Sequence, residues 1–172
     1  MSITIRPVPW IVDKAVECLD KFIQENPNPK ILEFGSGAST VWFAKKTRNL
    51  VSVETDPAWY KDISEILRQE ILVSDYHLVK DAEVPYVTAK YSDQLFDIIL
   101  IDGEERVECA RQSIALLKPN GIMMLDNDER AIYKEVHTIC NGMEFHSATQ
   151  HGADQTGWVA PHHWITSWWI NK

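Results

Sequence analysis

Cysteine is scarce in this sequence, and the spacing of the cysteines argues against two classes of fold. The chain has three of them, Cys18, Cys109 and Cys140, and no pair with CxxC spacing. An odd number without close pairs is not typical of a disulfide framework or a zinc knot, so we expect all three in or near the core. The six histidines contain no HxxxH or HExxH pattern, which are common zinc-binding signatures.

Long apolar runs, basic blocks and internal repeats are also missing. No stretch approaches the roughly 18 apolar residues of a membrane span, and the start MSITIRPVPW lacks the basic-then-apolar pattern of a secretory signal. We therefore expect a cytoplasmic protein with no membrane partner. A net charge of −8 without a Lys/Arg block disfavours binding to nucleic acid. A length of 172 residues suits one domain, residues 1–172.

Most of the chain alternates between strand and helix patterns. Apolar residues recur at helical spacing between positions 11 and 25, and Asn26–Pro29 ends that first helix. The predicted strands then span Lys30–Phe34, 50–54, Tyr76–Val79, Asp97–Ile101 and Ile122–Leu125. The predicted helices between them follow Ser39, run from Pro57 to about Gln69, and cover 105–117, with a stop at Lys118–Gly121. This order predicts an α/β fold with a Rossmann-like, doubly wound and mostly parallel sheet.

The tail of the chain has a different pattern. A helix is predicted over Ala131–Cys140, followed by strands over Met143–Ala148 and Trp164–Ile170 with no helix between them. We expect these two strands to form an antiparallel pair at one edge of the sheet. Alternation along the last strand places Trp168 and Trp169 on opposite faces. The long loop 150–163 between the two strands is a candidate lid.

A glycine-containing loop follows the first predicted strand. Gly35-Ser36-Gly37-Ala38-Ser39 stands between a strand and a helix, where glycines permit a tight turn and close approach of a ligand. Glu33 lies two residues before the first glycine, at the strand end, where an acceptor can hold an amino or hydroxyl group. Dinucleotide-binding loops usually carry an apolar residue there and a third glycine where this chain has Thr40.

Two further carboxylates lie at or just after the carboxyl ends of predicted strands. Glu54 ends the second strand, 17 residues after Gly37, where a carboxylate can accept hydrogen bonds from both ribose hydroxyls of an adenosine. Glu33 and Glu54 together favour S-adenosylmethionine (SAM) over NAD. Asp81 follows the third strand, where either an adenine contact or an acid on a solvent-facing loop fits the pattern.

Asp102, Asp126 and Asn127 follow two neighbouring strands. Acids at the carboxyl ends of such strands face the ligand crevice of an open α/β sheet, so we expect these three side chains to come together. Carboxylate and amide oxygens suit Mg²⁺ or Ca²⁺. The alternative is that they shape the crevice through hydrogen bonds without a metal.

At these motifs the chain resembles the class I SAM-dependent methyltransferases across nearly its whole length. The segments ILEFGSGAST, VSVETDPAW, the IDG strand and LKPNGIMMLDN occur in the family order. The resemblance implies a seven-stranded sheet with an antiparallel last strand, a methionine site around Glu33 and the glycine loop, and a ribose site at Glu54. The cofactor-binding residues expected on this basis are Glu33, Gly35, Ser36, Gly37, Ser39, Thr40, Glu54, Asp81 and Asp102.

A closer likeness is to small bacterial-type members of the family. The shared features include Trp10 before the first helix, IDGxxRVxCA from Asp102 and LDNxxR ending at Arg130. The set Asp102, Asp126 and Asn127 is also similar to the metal triad of catechol-type O-methyltransferases, although the lysine usual after the first acid is absent. Mg²⁺ is therefore a possible second cofactor.

The general base and the acceptor have no distinctive spacing. Asp126 is the first candidate for the catalytic residue, with Asp128 and the histidines His151, His162 and His163 as further candidates. Arg106 and Arg130 either bind an acidic acceptor or pair with Asp102 or Asp126.

The leading hypothesis is a SAM-dependent methyltransferase with a small-molecule acceptor. The alternatives are a nicotinamide-dependent oxidoreductase on a similar fold, a non-catalytic SAM-binding protein, and aminopropyl transfer from decarboxylated SAM. A homodimer is possible.

Overall fold

Seven strands form one sheet in this computed structural model, which describes residues 8–80, 83, 88–154, 157, 159 and 163–172. The strands are β1 (Lys30–Phe34), β2 (Asn49–Glu54), β3 (Asp75–Leu78), β4 (Phe96–Ile101), β5 (Leu117–Asp126), β6 (Glu144–Gln150) and β7 (Trp164–Ile170). Their spatial order is β3-β2-β1-β4-β5-β7-β6. Strands β1 to β5 are parallel, and β7 is antiparallel to both of its neighbours. The predicted Rossmann-like sheet and its antiparallel edge are confirmed.

The helices cover both faces of this sheet. They are α1 (Asp13–Glu25), α2 (Ala38–Ala44), α3 (Pro57–Gln69), α4 (Arg106–Ser113) and α5 (Glu135–Ile139). Buried residues of α1, α2 and α3 belong to the core on one face, and those of α4 and α5 to the core on the other. Within β4, Ile98 and Leu100 face the first core and Ile99 and Ile101 the second. This double burial explains the continuous apolar run DIILI.

Local sequence signals explain where several elements begin. Asp56 caps α3 by accepting the N–H groups of Ala58 (2.7 Å) and Trp59 (2.9 Å) at Oδ1, with Pro57 at the first helical position. Trp168 packs with the core on the α1 face and Trp169 with the opposite core, as alternation predicts. Cys109 and Cys140 are buried and Cys18 is partly buried, which confirms their expected places.

The prediction for the chain between α4 and β5 was wrong. The helix expected over 105–117 ends at Ser113, and a 3₁₀ turn, Ile114–Leu116, leads directly into β5. The segment read as a helix stop is part of the strand, because a bulge in the β4–β5 register lets Leu117 pair with Phe96. Hydrogen bonds between Asn171 and the backbone of Asn120 and Gly121 continue the pairing toward the end of β7.

Smaller differences occur elsewhere. The helix expected over Ala131–Cys140 is divided into a 3₁₀ turn, Ala131–Tyr133, and the short α5. Strand β3 ends one residue earlier than predicted, and β6 extends to Gln150. Among the helices described here, none combines the length and apolarity needed to cross a bilayer.

Candidate active site

The glycine loop between β1 and α2 touches the chain that follows β4. A Cβ added to Gly35, whose φ is +89°, would lie 2.5 Å from the backbone nitrogen of Gly103. A Cβ on Gly103 would in turn lie 2.8 Å from the nitrogen of Gly35. Two backbones therefore meet where neither position has room for a side chain, at the carboxyl ends of two adjacent parallel strands.

Glu54, at the end of β2, binds the glycine loop from the other side. Its Oε2 accepts hydrogen bonds from the backbone N–H of Ser36 (3.0 Å) and the Ser36 hydroxyl (2.5 Å). Its Oε1 accepts the N–H groups of Thr55 (2.7 Å) and Asp56 (2.9 Å). The side chain is 7% exposed, so these four donors compensate for the loss of water around the carboxylate. The carboxylate is thereby fixed at the position that the sequence predicted for a ribose contact.

Glu33 lies beneath the loop and is fully buried. Its Oε2 accepts the hydroxyls of Thr40 (2.7 Å) and Ser52 (2.5 Å), and Thr40 also accepts the N–H of Gly37 (2.9 Å). Burial raises the pKa of Glu33 to about 7, and the hydroxyls of Ser39, Ser52 and Thr40 oppose that rise. The second oxygen, Oε1, is buried and receives no hydrogen bond of ordinary geometry from the residues described.

Aromatic side chains that the sequence reading did not assign to the site surround Ser36. The indole Nε1 of Trp59 donates to the Ser36 carbonyl (2.6 Å), and the Tyr76 hydroxyl lies 2.5 Å from the Ser36 hydroxyl. Burial raises the pKa of Tyr76, which therefore stays a neutral hydroxyl. Trp10 lies beside Trp59, with ring centroids 6.1 Å apart. The helix start predicted at Pro57 is the sequence signal that could have indicated that Trp59 lies near this loop.

A cavity of about 210 Å³ opens between these elements. It is lined by Phe34, Gly35, Ser36, Val53, Glu54, Thr55, Asp56, Asp102, Gly103, Glu104 and Arg106. Four of the predicted cofactor residues, Gly35, Ser36, Glu54 and Asp102, thus share one crevice. The crevice lies where the strand order reverses between β1 and β4, the usual ligand position in an open α/β sheet.

Arg106, the first residue of α4, joins the ends of β4 and β5. Its Nε donates to the Gly103 carbonyl (2.9 Å), and its Nη1 donates to the Asp126 carbonyl (2.5 Å) and to Asn127 Oδ1 (3.3 Å). Its Nη2 donates to the carbonyl of Asp102 and contacts Oδ1 of the same residue, both at 3.2 Å. Only 7% of the residue is exposed. Of the two roles considered for Arg106, the structure shows the pairing with Asp102.

Asp102 and Asp126 differ in how far they face the crevice. The Asp102 side chain is 26% exposed, and burial raises its pKa to about 6 against the opposing effect of Arg106. Asp126 is 3% exposed, and its Oδ1 accepts the Thr166 hydroxyl (2.6 Å), which itself accepts the N–H of Val12 (3.0 Å). Burial, together with the Asp102 carboxylate, raises the pKa of Asp126 well above its usual range.

Comparison with known proteins finds similarity in structure but not in sequence families. No family model and no curated protein sequence matches the chain. Precorrin 8w decarboxylase from Methanobacterium thermoautotrophicum is 18% identical, with a TM-score of 0.70 over 99% of this chain and 97% of that one. An O-methyltransferase from Bacillus cereus in complex with S-adenosylhomocysteine (SAH) is 13% identical, with a TM-score of 0.66 over 95% and 84%. The chain has the fold of a class I SAM-dependent methyltransferase.

Proteins with this methyltransferase fold act on very different acceptors. An rRNA methylase from Streptococcus thermophilus is 11% identical, with a TM-score of 0.61 over 99% of both chains. The fold therefore does not identify the acceptor.

The predicted metal site requires a correction. Asp102, Asp126 and Asn127 do come together, but the Arg106 guanidinium already binds Oδ1 of Asp102, Oδ1 of Asn127 and the backbone carbonyl of Asp126. Asp126 also directs Oδ1 away to Thr166. In the part of the chain that the structure describes, no group of three His, Cys, Asp or Glu side chains is arranged to hold a metal ion. The residues present do not fit Mg²⁺.

The remaining candidate residues are dispersed. Asp128 accepts hydrogen bonds from Ser167 (2.5 Å) and lies 2.9 Å from His137 Nε2, which makes it part of the β5–β7 packing. Arg130 is half-exposed near Asp102, and its charge opposes the rise in the pKa of that carboxyl. His151 and His163 lie in the candidate lid with ring centroids 5.8 Å apart. Asp81 and His162 fall outside the described residues.

Proposed function

We propose that this protein is a SAM-dependent methyltransferase acting on a small-molecule acceptor. The observation that carries the proposal is the fixed Glu54 carboxylate, which is hydrogen-bonded to the glycine loop and lines the crevice. The Bacillus cereus O-methyltransferase, crystallised with SAH, has the same fold. A small acceptor is favoured over RNA because the chain carries a net charge of −8.

The residues around the crevice fit such a cofactor. Glu54 would accept the ribose hydroxyls, and the Ser36 hydroxyl, which also reaches Tyr76, is the donor that a ribose hydroxyl can replace. Glu33 lies beneath the loop that would hold the methionine part, and its Oε1 receives no hydrogen bond of ordinary geometry from the described residues. The close contact of Gly35 with Gly103 leaves no room for a side chain where the glycine loop meets the chain after β4.

The chemistry then depends on position more than on any single reactive side chain. Bound SAM would supply a methyl group on a positively charged sulfur, which makes that carbon electrophilic. The protein's part is to hold the acceptor in line with this carbon, and such alignment can supply several kcal/mol. Asp126 is the candidate proton acceptor. Because it is 3% exposed, the methyl acceptor would have to reach it through the residues that now cover it.

Calorimetric titration with SAH tests the cofactor proposal directly. We expect micromolar binding by the wild type and roughly 100-fold weaker binding by Glu54→Ala, because two hydrogen bonds to a charged group are lost. Glu70→Ala is the matched control, since Glu70 is an exposed carboxylate near Lys45 just past the end of α3, and it should leave the affinity unchanged. Wild-type binding of NADH but not SAH would contradict the proposal in favour of the oxidoreductase alternative.

A second measurement separates catalysis from binding. The protein is incubated with SAM labelled in the methyl group, together with pooled small metabolites or with RNA. We expect the label in a small-molecule product other than SAM. Label in RNA would overturn the acceptor class while supporting methyl transfer. SAH binding without any labelled product from either pool would favour the non-catalytic alternative, and an aminopropylated product from decarboxylated SAM, seen by mass spectrometry, would favour the third alternative.

A further inference from the structure

The arginine that joins β4 and β5 has a surrounding unlike that of an ordinary surface ion pair. Five oxygens lie within 3.3 Å of its guanidinium nitrogens: three backbone carbonyls, the Asn127 amide oxygen and the Asp102 carboxylate. The ring of Tyr133 lies 5.0 Å from its central carbon. We call Asp102, Gly103, Arg106, Asp126 and Asn127 the arginine cage.

The oxygen set of the cage is of the kind that binds a hard divalent cation. Carboxylate, amide and backbone carbonyl oxygens are the ligands that Mg²⁺ and Ca²⁺ prefer in proteins. Here the same oxygens are directed toward a side chain that cannot be deprotonated at any physiological pH. The Arg106 side chain is 8% exposed, so it fills the interior of the cage instead of lying at its edge.

The backbone around the cage is arranged to keep Arg106 in place. Glu105 adopts a left-handed conformation with φ +50°, which ends the loop after β4 and starts α4 at Arg106. Asn127 is also left-handed, with φ +54°, and its amide oxygen is thereby brought to the guanidinium. Glu105 directly precedes Arg106 in the chain, and Asn127 contacts its guanidinium, so both left-handed residues adjoin the same arginine.

We infer that Arg106 is a built-in cation which takes the place of a divalent metal ion at this crevice. The site therefore binds no Mg²⁺ or Mn²⁺. The occupation of the cage by Arg106 does not depend on the proposed methyl transfer. The further consequence, that turnover is independent of metal, does rest on that proposal. Arg106 acts as a positioning residue: it holds the ends of β4 and β5 together and orients Asp102 toward the cavity.

Calorimetric titration of the wild-type protein with MnCl₂ and MgCl₂ is the first test. We expect no saturable binding, and we expect SAH affinity to be the same with EDTA as with 5 mM Mg²⁺ (a concentration on the order of that at which weak oxygen-ligand sites saturate). Saturable Mn²⁺ binding that Asp102→Asn abolishes would overturn the inference. An absence of SAH binding under both conditions would instead contradict the proposed function, and the metal titration would still stand.

The second test opens the cage. Arg106→Ala removes the guanidinium but keeps the oxygens, and we expect it to gain saturable Mn²⁺ binding with a dissociation constant on the order of 1 mM or tighter, together with a higher melting temperature in Mn²⁺. Arg106→Lys is the matched control because it keeps the charge, and it should gain neither property. A merely structural arginine would produce no such gain. A folded Arg106→Ala variant without Mn²⁺ binding would overturn the inference, and if this variant does not fold, the wild-type titration decides.

Discussion

The two sides of the crevice stabilise their carboxylates by different means. On the glycine-loop side, formed by the ends of β1 and β2, Glu33 and Glu54 receive hydrogen bonds from hydroxyls and backbone N–H groups. On the cage side, formed by the ends of β4 and β5, Asp102 contacts the fixed charge of Arg106. The glycine-loop side therefore supplies neutral donors to buried acids, and the cage side supplies a cation.

This difference suggests separate tasks for the two sides. Neutral donors can be exchanged for the hydroxyls of a ligand at little electrostatic cost, as expected of a surface that binds a ribose. A buried ion pair cannot lose one partner in this way, because the remaining charge would be left without compensation. We therefore expect the glycine-loop side to adapt to its ligand and the cage side to stay fixed.

The largest effect on stability is expected where the two sides touch. Gly35→Ala would place a Cβ 2.5 Å from the Gly103 nitrogen at a φ of +89°, so either the loop or the chain after β4 must move. We expect the free energy of unfolding to fall by about 3 kcal/mol, measured by urea denaturation, together with loss of SAH binding.

Gly142→Ala provides the matched control for this substitution. Its φ is +91°, but a Cβ there would meet nothing within 4 Å, so only the backbone penalty of about 1 kcal/mol applies. Equal losses at the two glycines would show that backbone conformation alone explains the effect, and that the contact between the two sides contributes nothing.

The buried acid of the glycine-loop side should produce a pH-dependent stability. The pKa of Glu33 is raised from 4.5 to about 7 in the folded protein, so the folded state binds the proton more tightly than the unfolded state between these values. Its contribution to the free energy of unfolding is therefore greatest at low pH and falls as pH rises through this window, by at most about 3 kcal/mol. Urea denaturation from pH 4.5 to 7.5 measures it.

Comparison with Glu33→Gln isolates this contribution. The wild type should lose stability relative to the variant as pH rises from 4.5 to 7.5, since glutamine does not ionise. Glu17→Gln, on the exposed side of α1, controls for the loss of one negative charge from the whole chain. A wild-type profile parallel to that of Glu33→Gln would show that burial does not hold this carboxyl protonated.

The sequence predicted the glycine-loop side more completely than the cage side, and the reason is local geometry. Glu33, Gly35, Ser36 and Thr40 lie in one continuous strand–loop–helix segment, so their spacing alone brings them together. Glu54 ends the next strand, and parallel strands end at the same edge of the sheet.

The cage could not be predicted in the same way. The start of α4 was predicted to within one residue, but the partners of Arg106 come from the ends of two different strands, so spacing along the chain does not determine them. The position of Arg106, four residues after Asp102, was the available signal, and it left salt bridge and substrate contact equally open. The start of β5 was also missed. The segment Lys118–Gly121 resembles a helix stop, but the pairing of Leu117 with Phe96 makes it part of the strand.

The smallest expected effect tests how much each contact of the cage contributes. Asn127→Gly removes a long hydrogen bond to Arg106 (3.3 Å) but relieves a side chain held at φ +54°, so the two changes nearly cancel. We expect the free energy of unfolding to stay within about 0.5 kcal/mol of the wild type.

Asn127→Ala is the control. It loses the hydrogen bond without relieving the backbone, and it should lower the free energy of unfolding by about 1 kcal/mol, again measured by urea denaturation. A loss above about 2 kcal/mol for Asn127→Gly would mean that the amide is an essential partner of the guanidinium. The cage would then depend on all of its oxygens together, and not chiefly on Asp102 and the three carbonyls.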